Sequence, residues 1–448
     1  MVSTHDDTPR NAAQIERMIA LLPINFFVLA TLFFALGVIA LAPIARGVVA
    51  GYFYGPWPLA LVHTFTLGWI TASVMGVMYR YAPALTHGRI PFPRLAVVQF
   101  VLFVVGSTGM VTHFALGVWL GTWLAAIVML LSLMLFALNL IPLLWPYAGR
   151  GVAETGMFGA ICFLLATGTL GVLLAMDKSY GFMGGSLLTN LGAHVVLAAV
   201  GWVTLAICAV SYRMLPAFIL PTIALPRAAI YQLYALAAGV IGLAVTLLVS
   251  LRGSAAWCAL VVVSLLAYLA TMGRLMRARR MALDWTARHA LAGFVWLVAA
   301  AAAGVALLAV GAASPTGSRI AAAFGAAGLL GFFSNFIIGM SYHLFAGFVV
   351  RARAAAGWTA ATADSLVYTR PRLLVFATFN AGVAILVAGF LAAASALAVA
   401  GGVLVAIGGV VYVAATLGTL RFAYRRSTSG AARASFRSPA ATPGSYDR

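Results

Sequence analysis

Apolar residues in this chain come in long unbroken runs. They do not alternate as in a strand, and they do not form the one-sided stripe of a surface helix. Twelve runs reach the roughly 20 residues that an α-helix needs to cross a bilayer. They predict spans over about 19–45, 57–85, 94–116, 119–146, 156–176, 188–218, 228–251, 255–273, 289–312, 320–350, 373–398 and 400–422. The pattern predicts an all-α, polytopic membrane protein: a tail over 1–17, a helical domain over 18–424 and a second tail over 425–448. The second tail, "RRSTSGAARASFRSPAATPGSYDR", is rich in Arg, Ser, Ala, Gly and Pro, a composition that predicts disorder. The first run is of full spanning length and no small-residue cleavage site follows a short apolar core, so no removable signal peptide is expected.

Composition agrees with the pattern. Of the residues, 64% are hydrophobic and 8% charged, against roughly 25% charged in a soluble domain. The formal net charge of +19 does not point to nucleic acid, because the basic residues are scattered between apolar runs. They act instead as topology signals. Twelve spans put both termini on one side. If that side is cytoplasmic, only Arg46, Lys178, Arg252 and Arg319 of the 27 Lys and Arg lie outside, as the positive-inside rule requires. The expected location is the inner membrane, with lipid as the surrounding partner. Cys162, Cys208 and Cys258 sit in apolar runs without metal or redox spacing and read as packing residues.

Two stretches repeat. "LVHTFTLGWITASVMGVMYRYAPAL" at 61–85 carries Gly68-Trp69, Tyr79-Arg80 and Pro83; "AHVVLAAVGWVTLAICAVSYRMLPAFIL" at 193–220 carries Gly201-Trp202, Tyr212-Arg213 and Pro216 at identical spacing. A weaker third copy has Gly331-Phe332 and Tyr342-His343, with Ala346 at the proline position. The copies fall in the second, sixth and tenth spans. They predict three sets of four helices, about 18–150, 151–285 and 286–424, in a pseudo-threefold arrangement. The competing explanation is that Gly, Trp and Tyr-Arg are common in any membrane helix.

Only His63 and His194 lie well inside apolar runs. A titratable ring there is expensive and suggests function, as a haem or metal ligand; otherwise it is a neutral, hydrogen-bonded packing residue. His63 precedes its Trp by six residues and His194 by eight, a rotation of about 200° on an α-helix. The rings therefore either converge between the second and sixth spans or face separate clefts. His113 reads as an interfacial residue or a second ligand. His87, His289 and His343 sit among arginines and read as solvated or headgroup-facing. All eight acidic residues lie in tails, loops or helix ends, so no mid-membrane carboxylate suggests ion-coupled transport. No motif of a soluble enzyme is present.

Twelve spans, a threefold repeat of four and a histidine near the outer end of the second span resemble subunit I of the haem-copper oxidases. The likeness covers about residues 18–424, and "HTFTLGW" and "GWVTLAICAVSYRMLP" carry it locally. It implies that His63 is an axial ligand of a low-spin haem, with His194 or His113 as the other. His194 also takes the place of a copper-binding histidine. The seventh span lacks the family's His-His pair and the tenth lacks its two haem-binding histidines. Copper is therefore not expected, nor oxygen reduction by the family's mechanism. Arg46 and Arg319 are candidates to pair with haem propionates. The resemblance implies a haem protein of electron transfer, haem handling or gas sensing, with a redox partner or other membrane subunits. The alternative is a cofactor-free permease or structural membrane protein.

Overall fold

The computed structural model describes residues 8–51, 53–358 and 371–424. Twelve helices in it are long and apolar enough to cross a membrane. They are α1 (Ala13–Val49), α2 (Pro56–Thr86), α3 (Pro93–Leu116), α4 (Trp119–Tyr147), α5 (Val152–Tyr180) and α6 (Leu187–Ile219), followed by α7 (Ala228–Val249), α8 (Ser254–Arg277), α9 (Trp285–Val310), α10 (Pro315–Ala355), α11 (Arg372–Leu391) and α12 (Ser395–Ala423). Among the described residues no strand forms. The chain is the all-α, polytopic membrane protein that its apolar runs predict. The predicted tail over 425–448 lies outside the described residues, and helix already begins at Thr8 within the predicted first tail.

The joints follow local chemistry. Pro56, Pro93 and Pro315 open helices at the first position, where a missing N–H costs nothing. Gly117 and Gly181 close α3 and α5 in the left-handed region. Asp284 caps α9 by accepting from the Ala287 N–H. The α11–α12 joint differs from expectation. The turn falls at 392–394, with Ala393 at φ 52°, and not near 399. Gly401 and Gly402, which look like a break in sequence, are inside α12. A Cβ on Gly401 would meet the Leu386 backbone, and one on Gly402 the Ala42 backbone, so they permit close helix contact.

The motif helices α2, α6 and α10 form the centre, with Trp69, Trp202 and Phe332 almost fully buried. Side chains such as Leu32, Ile39, Val105 and Val295 stay exposed, as expected of surfaces that meet lipid tails. Helix α1 packs on α12, closing the bundle. We call the face where α1 starts the terminal face, and its opposite the far face.

Three local features recur at the motif spacing. Each central helix carries a π-helical segment: Thr64–Thr71 in α2, Val196–Thr204 in α6 and Ala326–Ser334 in α10. A Cβ on Gly68, Gly201 or Gly331 would strike the ring of Phe33, Phe163 or Trp296 on the preceding helix. The Trp69 indole donates to Ser334 Oγ at 3.0 Å, and that of Trp202 to Thr71 Oγ1 at 3.1 Å. Phe332 has no N–H to offer at the third position, and the Thr204 hydroxyl donates instead to the Ala199 carbonyl.

Candidate functional site

His63 ends the α-helical first part of α2, immediately before its π segment. Its Nδ1 lies 2.8 Å from the Leu59 carbonyl. A carbonyl only accepts, so Nδ1 carries the proton and Nε2 keeps its lone pair. The ring is partly buried and stacks on Phe114 at 4.5 Å between centroids. This is the tautomer in which imidazole binds a metal through Nε2, oriented by a carbonyl behind it.

His194 stands two residues before the π segment of α6. It lies against Gly171 of α5, where an added Cβ would come within 3.0 Å of its Cε1. Its Nδ1 is buried without a hydrogen-bond partner among the described residues, as is the Thr167 hydroxyl on α5. The two imidazoles are within electrostatic reach of one another. That proximity agrees with convergence between α2 and α6, one of the two arrangements the sequence leaves open.

The other candidates sit differently. His113 holds its Nδ1 at 2.7 Å from the Gly109 carbonyl and turns toward Gly121 of α4, while the next residue, Phe114, is the one that meets His63. Arg46 and Arg319 are exposed near the far-face ends of α1 and α10. A nearby cation is Lys178, which sequence reasoning did not single out. Its Nζ sits 4.4 Å from the Trp119 ring and 4.3 Å from that of Tyr54, and Trp119 in turn packs on Phe114. Burial and the Asp177 charge push the Tyr54 hydroxyl up to about 12. Among the described residues no three His, Cys, Asp or Glu gather as a metal-binding set.

His289 corrects an expectation. It is fully buried, not solvated. Its Nδ1 lies 2.8 Å from Asn335 Oδ1, and its ring packs against Tyr342 and Phe376. The network continues from Asn335 to Asn380 and Trp296. Nearby arginines in the sequence disguised it, because the ring leaves α9 toward α10. His87 and His343 are exposed, as expected, and His343 pairs with Asp284 at 2.6 Å.

No protein-family model matches the chain, and no curated protein is significantly similar to it.

Proposed function

We propose that the chain is a haem-binding membrane protein built on a scaffold like that of haem-copper oxidase subunit I, with His63 and His194 as the axial pair. The observation that carries this reading is the state of the two rings. One has a free, correctly tautomeric Nε2, the other a buried Nδ1 with no partner among the described residues, and the two rings lie within electrostatic reach of each other. Both donors fit what haem iron requires, since bound haem supplies a one-electron centre held by neutral nitrogen ligands. His63 would bind through Nε2 with Leu59 steering it. His194 would bind through Nδ1, the nitrogen that otherwise pays for burial unpaired. Lys178 stands where it could meet a propionate. Apolar walls, among them Phe114, would keep water from the ligands. Electron transfer, haem handling and gas sensing all use such a centre.

The scaffold part of the proposal is a pseudo-threefold arrangement of four-helix sets. The recurring π segments, glycine–aromatic contacts and tryptophan bonds support it. The cytoplasmic assignment of the terminal face rests on the four basic residues of the far half; a reporter active only in the periplasm, fused after Arg426, should be silent.

The second reading is a cofactor-free permease or structural membrane protein. The stacking of Phe114 on His63 favours it, because the ring already has a packing role. Absorption spectroscopy on detergent-purified protein separates the two. Redox-sensitive Soret and alpha bands are expected for the haem protein, and a colourless preparation for the alternative.

A further inference from the structure

Near the terminal face, between α9, α10 and α11, three buried polar atoms have no hydrogen-bond partner among the described residues. They are His289 Nε2, Tyr342 OH and Arg372 Nε. They are neighbours: the His289 and Tyr342 rings lie 5.7 Å apart, and the Arg372 guanidinium carbon stands 4.8 Å from the Tyr342 ring centre. His289 is 0% exposed. Buried polar groups are costly to leave unpaired, so three together call for a partner.

The surrounding bonds define what that is. Asn335 Nδ2 donates to the Gly331 carbonyl at 2.7 Å, which fixes Asn335 Oδ1 as the acceptor facing His289. His289 Nδ1 must therefore donate, and Nε2 carries a lone pair. Arg372 Nε–H can only donate. The Tyr342 hydroxyl can do either. A matching guest gives a hydrogen to His289 and accepts one from Arg372. A small oxyacid does both, either as the neutral acid or as its anion beside a protonated His289.

We propose that His289, Tyr342 and Arg372 form a binding site for a small oxyacid of the formate class, taken up from the terminal face as an anion together with one proton. Arg372 holds one oxygen, His289 holds the proton-bearing side and Tyr342 closes the set. Asp284 pairs with His343 and lies within electrostatic reach of Arg372. The other titratable or charged groups near His289 are Tyr412 of α12, which interacts with Tyr342, and Arg288 on its own helix, which stacks on Trp285. Among the described residues these groups bring one carboxylate, Asp284, and the Arg372 cation to the site. The site is independent of the His63–His194 cleft and stands or falls without haem.

The test is calorimetric titration of formate into the full chain in lipid nanodiscs near pH 7, in two buffers of different protonation enthalpy. Saturable binding with uptake of about one proton per formate is expected, since free formate is ionised at that pH. Arg372→Gln should weaken binding by about tenfold or more, as expected for a lost charge-assisted bond. Tyr342→Phe should weaken it by a smaller factor. His289→Gln should abolish the proton uptake while leaving a monodisperse protein, and Arg46→Gln on the far face should change neither. If Arg372→Gln does not fold, the Tyr342 and His289 variants still decide. Absence of saturable heat from well-folded wild-type protein, or binding without proton uptake, would overturn the proposal and leave the three groups bridged by water only.

Discussion

The motif tyrosines of α2 and α6 meet surroundings opposite to those of the one in α10. Tyr79 and Tyr212 each donate to a glutamine twenty residues on, Gln99 and Gln232, at 3.1 Å. Gln99 passes the bond on to Ser132. In the third set the corresponding position is Val375. The correspondence is fixed by Gly106, Gly239 and Gly382, each seven residues later and each in close contact with the next helix, at Met129, Val261 and Val405. Tyr342 therefore loses its acceptor, and its hydroxyl is buried with no partner among the described residues. The polar investment has moved to His289, Asn335 and Asn380. Steric contacts are common to the three motif helices, whereas their polar partners differ. Packing sets the shape, and polar groups are free to change where a different chemistry is kept.

The largest expected effect lies in the shared packing. A Cβ on Gly68 would come within 2.1 Å of the Phe33 ring, against 2.5 Å to Trp296 for Gly331 and 2.7 Å to Phe163 for Gly201. Gly68→Ala should destabilise by about 2–3 kcal/mol, as overpacking does, with Gly331→Ala and then Gly201→Ala following. Melting of the three purified variants checks the order. Equal, negligible losses would break the claim that packing is the common element.

The polar contrast comes next. Gln99→Leu strands the Tyr79 hydroxyl and should cost about 1–2 kcal/mol. Val375→Gln gives Tyr342 the partner found in the other two sets. It should raise the melting temperature slightly, with bonds of this kind contributing about 0.6 kcal/mol in membranes. It should also weaken formate binding by occupying the tyrosine. A destabilised Val375→Gln protein with unchanged formate binding would separate the two ideas.

The smallest effect is electrostatic and confined to the third set. Burial pushes the Asp284 carboxyl up, but the His343 and Ala287 hydrogen bonds and the charges of His343 and Arg372 outweigh it and hold the group below its ordinary value. A carboxyl lowered in the folded state stabilises above its unfolded value, and that stability is lost as pH falls through the folded value. The melting temperature should therefore drop below about pH 4, and Asp284→Asn should flatten that drop. Both partners are well exposed, so screening keeps the change small.

Much of this molecule is legible in its sequence, for a physical reason. Lipid demands long apolar runs, so the twelve spans and most of their ends follow from hydropathy alone. The α11–α12 joint escapes because its turn is three alanines, while Gly401-Gly402 a few residues on look like a stronger break. The π segments have no compositional signature, so the sequence places His63 and His194 against their tryptophans only by a regular α-helical count. His289 was hidden by its arginine neighbours, since charge along the chain does not reveal which side of a helix a ring leaves. Lys178 was noticed only as an outer charge. Its contacts with Tyr54 and Trp119 join three helix ends far apart in sequence.

The central claim is that His63 lies in a membrane helix because it ligates haem iron. Its most direct test is the reduced-minus-oxidised absorption spectrum of protein made with ample haem, recorded for wild type, His63→Ala and His87→Ala. Wild type and His87→Ala should show the same Soret and alpha bands, and His63→Ala should lose or convert them. A wild-type protein with no bound chromophore, or a His63→Ala spectrum identical to wild type, would contradict the account and make His63 a packing residue held by Leu59 and Phe114.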